Sequence, residues 1–155
     1  MRVEQVTDPG QKSALARLIL EGLTDWFAVP ESREQYIREA AEQMLFAAWL
    51  DGVPAGFLCL KETGRATAEI AVMGVQKACH RRGVGRALFA AARQAARDAG
   101  YAFLQVKTVQ MGRYPDYDKT NLFYQSLGFQ EFEVFPSLWD EQNPCQVYVM
   151  SLADA

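Results

Sequence analysis

The spacing of apolar residues changes period several times along the chain, and each change marks a new element. Val3 to Val6 alternates like a short strand. Asp8-Pro9 then offers an N-cap and a proline that a first helical turn tolerates. Leu15, Leu18, Ile19 and Gly22 or Leu23 fall on one helical face, predicting a helix over about residues 10–23. Trp26, Phe27 and Pro30 interrupt that period. A second helix is expected after Ser32, running to about Glu42 with Tyr36, Ile37 and Ala40 inward. Met44 to Leu50 and Pro54 to Lys61 flank Asp51-Gly52, a dipeptide that accepts positive φ at both positions and so predicts a hairpin. Thr67 to Val75 is apolar on both faces, the mark of a central strand covered on both sides.

Beyond that strand, Val84, Leu88, Ala91 or Ala92, and Ala95 make an apolar stripe on a helix from Gly83 to about Ala99, and Gly100 is placed to cap it. Tyr101 to Val109 is the next strand. A polar loop with Arg113, Pro115, Asp116 and Asp118 leads into a short helix, Lys119 to Leu127, closed by Gly128. Phe129 to Phe135 and Gln146 to Leu152 are the last strands. Pro136 to Pro144, carrying Trp139, Asp140 and Glu141, is expected to be the loop between them. The order β-α-α-β-β-β-α-β-α-β-β is too irregular for a doubly wound sheet. It suits a mixed sheet with helices on two faces. No repeat, linker or low-complexity tract divides it, so one domain over residues 1–155 is expected.

Composition narrows the partners. Half of the 155 residues are hydrophobic and 12% aromatic, enough for a packed core. A net charge of −3 gives no basic face for nucleic acid. No run approaches the ~18 apolar residues of a membrane span. Met1-Arg2-Val3-Glu4 does not open a signal peptide. Three cysteines, an odd count without close pairing, suit a reducing, cytoplasmic setting. With one histidine and no paired cysteine motif, no metal site is expected.

Against this acidic background, the cluster Arg81, Arg82 and Arg86 is aimed at a small anion. It lies in His80-Arg81-Arg82-Gly83-Val84-Gly85-Arg86, between the central strand and the alanine-rich helix. Glycines spaced by one residue let the backbone turn sharply, and the helix start offers unpaired N–H groups and the positive end of its dipole. A solvated surface turn has the same composition, so context decides. Two features supply context: Glu69, a lone carboxylate on the preceding apolar strand, and Leu122-Phe123-Tyr124-Gln125-Ser126-Leu127-Gly128-Phe129 one strand later.

On those residues the chain resembles the GNAT superfamily of acetyl-CoA-dependent N-acetyltransferases over nearly its whole length. The family's Gln/Arg-x-x-Gly-x-Gly/Ala motif matches His80 to Gly85. Its later landmark, a Tyr followed shortly by Gly-Phe, matches Tyr124 and Gly128-Phe129. Three positions depart from the pattern: His80 replaces Gln or Arg, Lys77 replaces a common Pro, and Tyr117 stands where an Asn is often found, with Asn121 out of register.

The resemblance implies an α/β (α+β) fold, a mixed and mostly antiparallel central sheet of six to seven strands flanked by four helices. It implies that acetyl-CoA is the co-substrate and that main-chain N–H groups from Arg81 to Arg86, beside His80, cradle its pyrophosphate. Gly83, Val84 and Gly85 form the bend of that cradle. Met73, Gly74 and Val75 would pair with the pantetheine arm, the Val75 N–H would face the thioester oxygen, and Asn121 joins the cofactor set. Glu69 is the implied base and Tyr124 the implied acid, in direct transfer through a ternary complex. Trp26, Phe27 and Tyr36 would shape the acceptor pocket.

A small amine is the expected acceptor, with a protein or peptide amine as alternative. The acidic residues Asp116, Asp118, Asp140 and Glu141 tilt the choice toward a cation. A non-catalytic acyl-CoA-binding or regulatory module on the same fold is the rival reading. A dinucleotide site is disfavoured, because Leu88 stands where the third glycine of that fingerprint belongs. Cys79 has no partner histidine and direct transfer needs no acyl-enzyme. An exposed final hairpin offers a surface on which two copies could pair.

Overall fold

The computed structural model describes residues 1–153. Its elements are β1 (Arg2–Val6), α1 (Pro9–Glu21), α2 (Pro30–Ala40), β2 (Met44–Leu50), β3 (Val53–Gly64), β4 (Thr67–Val75), α3 (Val84–Asp98), β5 (Phe103–Val109), α4 (Pro115–Ser126), β6 (Gln130–Asp140) and β7 (Asn143–Ser151), with a 3-10 turn at Lys77–Cys79. The seven strands form one sheet in the order β1-β2-β3-β4-β5-β7-β6. All neighbours are antiparallel except β4 and β5. The mixed, mostly antiparallel sheet with four helices is therefore the architecture of this chain.

Prolines explain two early helix starts. Pro30 and Pro115 each occupy a first-turn position, where the missing N–H costs nothing and φ is already helical. Both helices thus begin earlier than their apolar period suggests. The segment Pro136 to Asp140 is also not a loop. It prolongs β6, although regular pairing with β7 lapses between Phe135 and Asp140.

Two apolar cores cover the two sheet faces. Leu15, Ile19, Leu20 and Ile37 of α1 and α2 pack on Leu45, Phe57 and Val72. Val84, Leu88, Phe89, Ala92 and Ala96 of α3, with Tyr124 of α4, pack on Leu58, Ile70, Leu104 and Tyr148. The central strand β4 lies between them, as its two-sided apolar pattern anticipates.

Irregularity in β4 positions the site. Cys59 and Leu60 are adjacent on β3, but their partners are Val72 and Ile70, so Ala71 is an extra, bulged residue. The bulge reverses the facing of β4. Ala68 and Ile70 belong to the α3 core before it, whereas Met73 and Val75 do after it. At the same point the parallel pairing ends: β4 and β5 are in register only from Thr67↔Phe103 to Ile70↔Val106. Beyond Ile70 the two strands part, leaving a notch in the middle of the sheet.

Candidate active site

One edge of β4 is unpaired beyond the notch. The Gln76 N–H donates to the Ala55 carbonyl at 2.8 Å, which sets the phase of the ladder with β3. In an antiparallel pair alternate residues bond to the same neighbour. Val75 and Met73 therefore turn their N–H and C=O groups away from β3, toward the gap left by β5. Gly74 does the reverse. Its Cα hydrogens face α1, where an added Cβ would lie 3.0 Å from Leu23 Cδ1 and 3.1 Å from Ile19 Cγ2.

The chain leaves β4 through the 3-10 turn and enters a left-handed bend. Arg81 has φ 64° and Gly83 φ 79°. Such residues turn successive N–H groups into one concavity, an anion-binding nest. No side chain caps α3 at Gly83, so the first-turn N–H groups stay available. Arg81 and Arg82 are exposed and make no ion pair among the described residues. Arg86 donates to Ser126 Oγ at 3.0 Å. His80 folds back, its Nε2 donating to the Val75 carbonyl at 2.8 Å while its ring meets the Trp26 edge.

The two glycines have different reasons. A Cβ at Gly83 would meet nothing within 4 Å, so only its positive φ demands glycine. A Cβ at Gly85 would sit 2.9 Å from Phe123 Cζ and 3.2 Å from Met73 Cε, so there the demand is close packing of α3 on α4 and β4.

Glu69 lies at the head of the notch, before the bulge, and is 5% exposed. Register sets it in a row across three strands: Lys61 of β3 pairs with Glu69, and Glu69 with Gln105 of β5. Its Oε1 accepts from Gln105 Nε2 and from Lys107 Nζ, each at 2.8 Å. Its Oε2 faces Lys61 Nζ at 3.6 Å. The carboxylate expected on an apolar strand is thus held in an ionic cluster. Lys61, Glu69 and Lys107 line a recess of about 280 Å³ completed by Tyr36, Ile70, Ala71 and, from the end of β6, Leu138 and Trp139.

Tyr124 is almost fully buried, its ring packed against Phe123, Phe129 and Tyr148. Burial, then the nearby Tyr36 and Tyr117 phenols, push its hydroxyl far above the usual tyrosine value. It makes no hydrogen bond among the described residues. Tyr36 is raised too, by burial first and then by Glu39 and Glu69. Tyr36 of α2 therefore lies within electrostatic reach of Glu69 of β4 on one side and of the Tyr117 and Tyr124 phenols of α4 on the other.

Asn121 does not join them. It is 0% exposed; its Nδ2 donates to the Val109 and Tyr117 carbonyls at 2.8 and 2.7 Å, and its Oδ1 accepts from the Tyr148 hydroxyl at 2.6 Å. With its side-chain polar atoms engaged and no accessible surface, it fastens α4 to the end of β5. Tyr117, at the departing position, donates to the Trp26 carbonyl at 2.7 Å. Lys77–Asp25 and Arg33 to the Phe27 carbonyl hold the same α1–α2 loop from other sides. Trp26 and Phe27 pack against the α1–α2 core.

Lys61, Gln105, Lys107 and Leu138 are absent from the sequence-based site. Each looks like an ordinary strand or loop residue, and only register brings them to Glu69. Among the described residues no group of three or more His, Cys, Asp or Glu could hold a metal ion, and no helix is long and apolar enough to cross a membrane.

An open strand edge thus runs into a nest, with ionisable groups at the notch. Residues 14–129 match the family model of the GNAT acetyltransferases, and the chain belongs to that family. A GNAT-family protein from Desulfovibrio desulfuricans superposes with a TM-score of 0.86 at 21% identity, covering 98% of this chain and 99% of its own. The ribosomal-protein-S18-alanine N-acetyltransferase from Escherichia coli gives 0.77 at 18% identity, with 99% and 96% covered. An aminoglycoside 6'-N-acetyltransferase complexed with coenzyme A gives 0.74 at 16% identity, with 100% and 99% covered. At these identities the likeness is one of fold. Among proteins of curated function, none matches the chain by sequence.

Proposed function

We propose that the chain transfers an acetyl group from acetyl-CoA to a primary amine of a small molecule, directly, within a ternary complex. The observation that carries this reading is the continuity of the Met73–Val75 edge, which no strand covers and where only the Val75 carbonyl is held, by His80, with the nest at Arg81 and Gly83, leading away from Glu69. An extended amide-bearing arm can add to such an edge like a strand. A diphosphate suits the nest, the first-turn N–H groups and the free Arg81 and Arg82; charge-assisted bonds there contribute roughly 1.5–3 kcal/mol each. The residues present therefore fit coenzyme A, whose thioester supplies an activated acyl group.

The chain's own residues would then divide the proton traffic. Glu69 takes the proton of the incoming ammonium, directly or through water. Tyr124, kept protonated by burial, delivers a proton toward the departing sulfur. The Val75 N–H faces the carbonyl oxygen as charge develops there. The same reading treats the chain as one domain working in the cytoplasm, consistent with three free thiols at Cys59, Cys79 and Cys145. It also pairs two copies over the β6 edge, where Phe132 is 65% exposed; a purely monomeric sedimentation profile at micromolar concentration would remove that part.

Two measurements test the activity. Thermal shift should show stabilisation by acetyl-CoA and none by NAD. Release of free thiol from acetyl-CoA should depend on an added amine. Stabilisation without amine-dependent release would favour a non-catalytic acyl-CoA-binding module, and stabilisation by NAD alone would overturn the reading.

A further inference from the structure

The proton traffic above leaves the two ammonium groups of the recess without a task. Lys107 spends one donor on Glu69, and Lys61 makes no hydrogen bond among the described residues. Each ammonium carries three donors, so most of this capacity faces the recess unspent. The side chains are 30% and 42% exposed, so their charged heads reach solvent there. The lining holds two positive charges against one negative.

A purely cationic amine would enter against that balance. None of the acidic residues that tilted the sequence reading, Asp116, Asp118, Asp140 and Glu141, is part of the lining. Asp118 accepts from the Gly112 N–H and Asp140 from the Gln142 and Asn143 N–H groups, each within its own turn. Glu39 reaches Tyr36 but is not part of the lining. Tyr36, Leu138 and Trp139 share the lining with the lysines, the last two 54% and 47% exposed. At about 280 Å³ the recess lies at the small end of ligand pockets.

We propose that this recess is an anion subsite that recognises a carboxylate borne by the acceptor beside its amine, with an apolar body against Tyr36, Leu138 and Trp139. The acceptor class is then a free, apolar amino acid-type amine. A lysine side chain or a protein N-terminus lacks that carboxylate, because its carbonyl is an amide. The role of the subsite in an acceptor rests on the acetyltransfer reading; anion recognition by Lys61 and Lys107 does not.

The test separates the two. 3-Phenylpropanoate, which has the carboxylate but no amine, and its neutral amide, 3-phenylpropanamide, are titrated into the whole protein. Binding is followed by the NMR shift of the Trp139 indole N–H, assigned with Trp139→Phe. The acid should bind at least tenfold tighter than the amide. Lys61→Gln, at a partly exposed strand position, should cut that ratio severalfold while binding of the amide stays as it was. Equal affinities in the unaltered protein, or no binding of the acid, overturn the subsite.

In a second arm, thiol release from acetyl-CoA is compared for phenylalanine, phenylalaninamide and phenethylamine, and the amino acid should lead in kcat/KM by tenfold or more. No release with any amine, while the acid still outbinds its amide, would remove the activity and leave the subsite. Equal release with all three, without acid preference in binding, would remove the subsite and leave the activity.

Discussion

Gly83 and Gly85 look alike in the sequence and fail differently when replaced. Gly83→Asp places a negative charge and a side chain at φ 79° in open space. It should abolish stabilisation by acetyl-CoA at a folding cost of only about 1–2 kcal/mol. Gly85→Ala drives a methyl into Phe123 and should cost about 1–3 kcal/mol in chemical denaturation. Reversed outcomes, stability lost at 83 and binding at 85, would contradict the assignment. Tyr124→Phe removes the hydroxyl and leaves the ring packing intact. Turnover should fall about a hundredfold with acetyl-CoA affinity unchanged, since proton transfer by a placed side chain contributes about 10²–10⁴. Parallel loss of affinity and turnover would count against an acid at this position.

At the scale of elements, the notch depends on how α4 is fastened. Asn121 joins the Tyr117 carbonyl, the end of β5 and the Tyr148 hydroxyl through one buried amide. Asn121→Ala would remove all three bonds from a site without solvent access, leaving the Tyr148 hydroxyl only its bond from Gln125. A loss of about 3 kcal/mol is expected, because each unsatisfied buried polar group costs about 1–3 kcal/mol. Acetyl-CoA affinity, read at a temperature where the variant remains folded, should hold within about twofold. A large affinity loss in a variant of full stability would return Asn121 to the cofactor set. The element boundaries teach a related point. Pro30 and Pro115 look like breaks to a periodicity argument, yet each starts a helix, because proline is compatible with a first turn. The end of β6 was opaque for a different reason: Pro136 and Ser137 interrupt alternation, and pairing with β7 is itself irregular there.

For the whole molecule, pH acts through thiols sealed in the sheet. Burial pushes Cys59 from the usual 9.0 to about 12, with Lys12 opposing weakly. The neutral thiol of the folded state holds on to its proton after the unfolded chain has released it. Stability is therefore fully present below pH 9 and falls as pH rises toward 12, at no more than about 1.4 kcal/mol per pH unit for this group. Denaturation midpoints should be flat on the near-alkaline side and drop above pH 9. Cys59→Val should make that drop shallower between pH 9 and 10. An unchanged slope would show that Cys59 does not govern it.

Local chemistry wrote part of this protein in one dimension. The order of seven strands and four helices, the left-handed bend at Gly83 and the free N–H groups after it belong to contiguous residues, because period, backbone sterics and helix ends act over a few positions. Tertiary structure alone decided that Ala71 bulges, that β4 and β5 part after Ile70, that Lys61 and Lys107 flank Glu69, and that Asn121 is sealed away. Those outcomes follow from pairing between separate segments, 36 and 38 residues apart from Glu69 to Gln105 and Lys107 and 27 apart from Asn121 to Tyr148. No local pattern encodes register, since a slip of one residue would turn each of those side chains to the other face of the sheet.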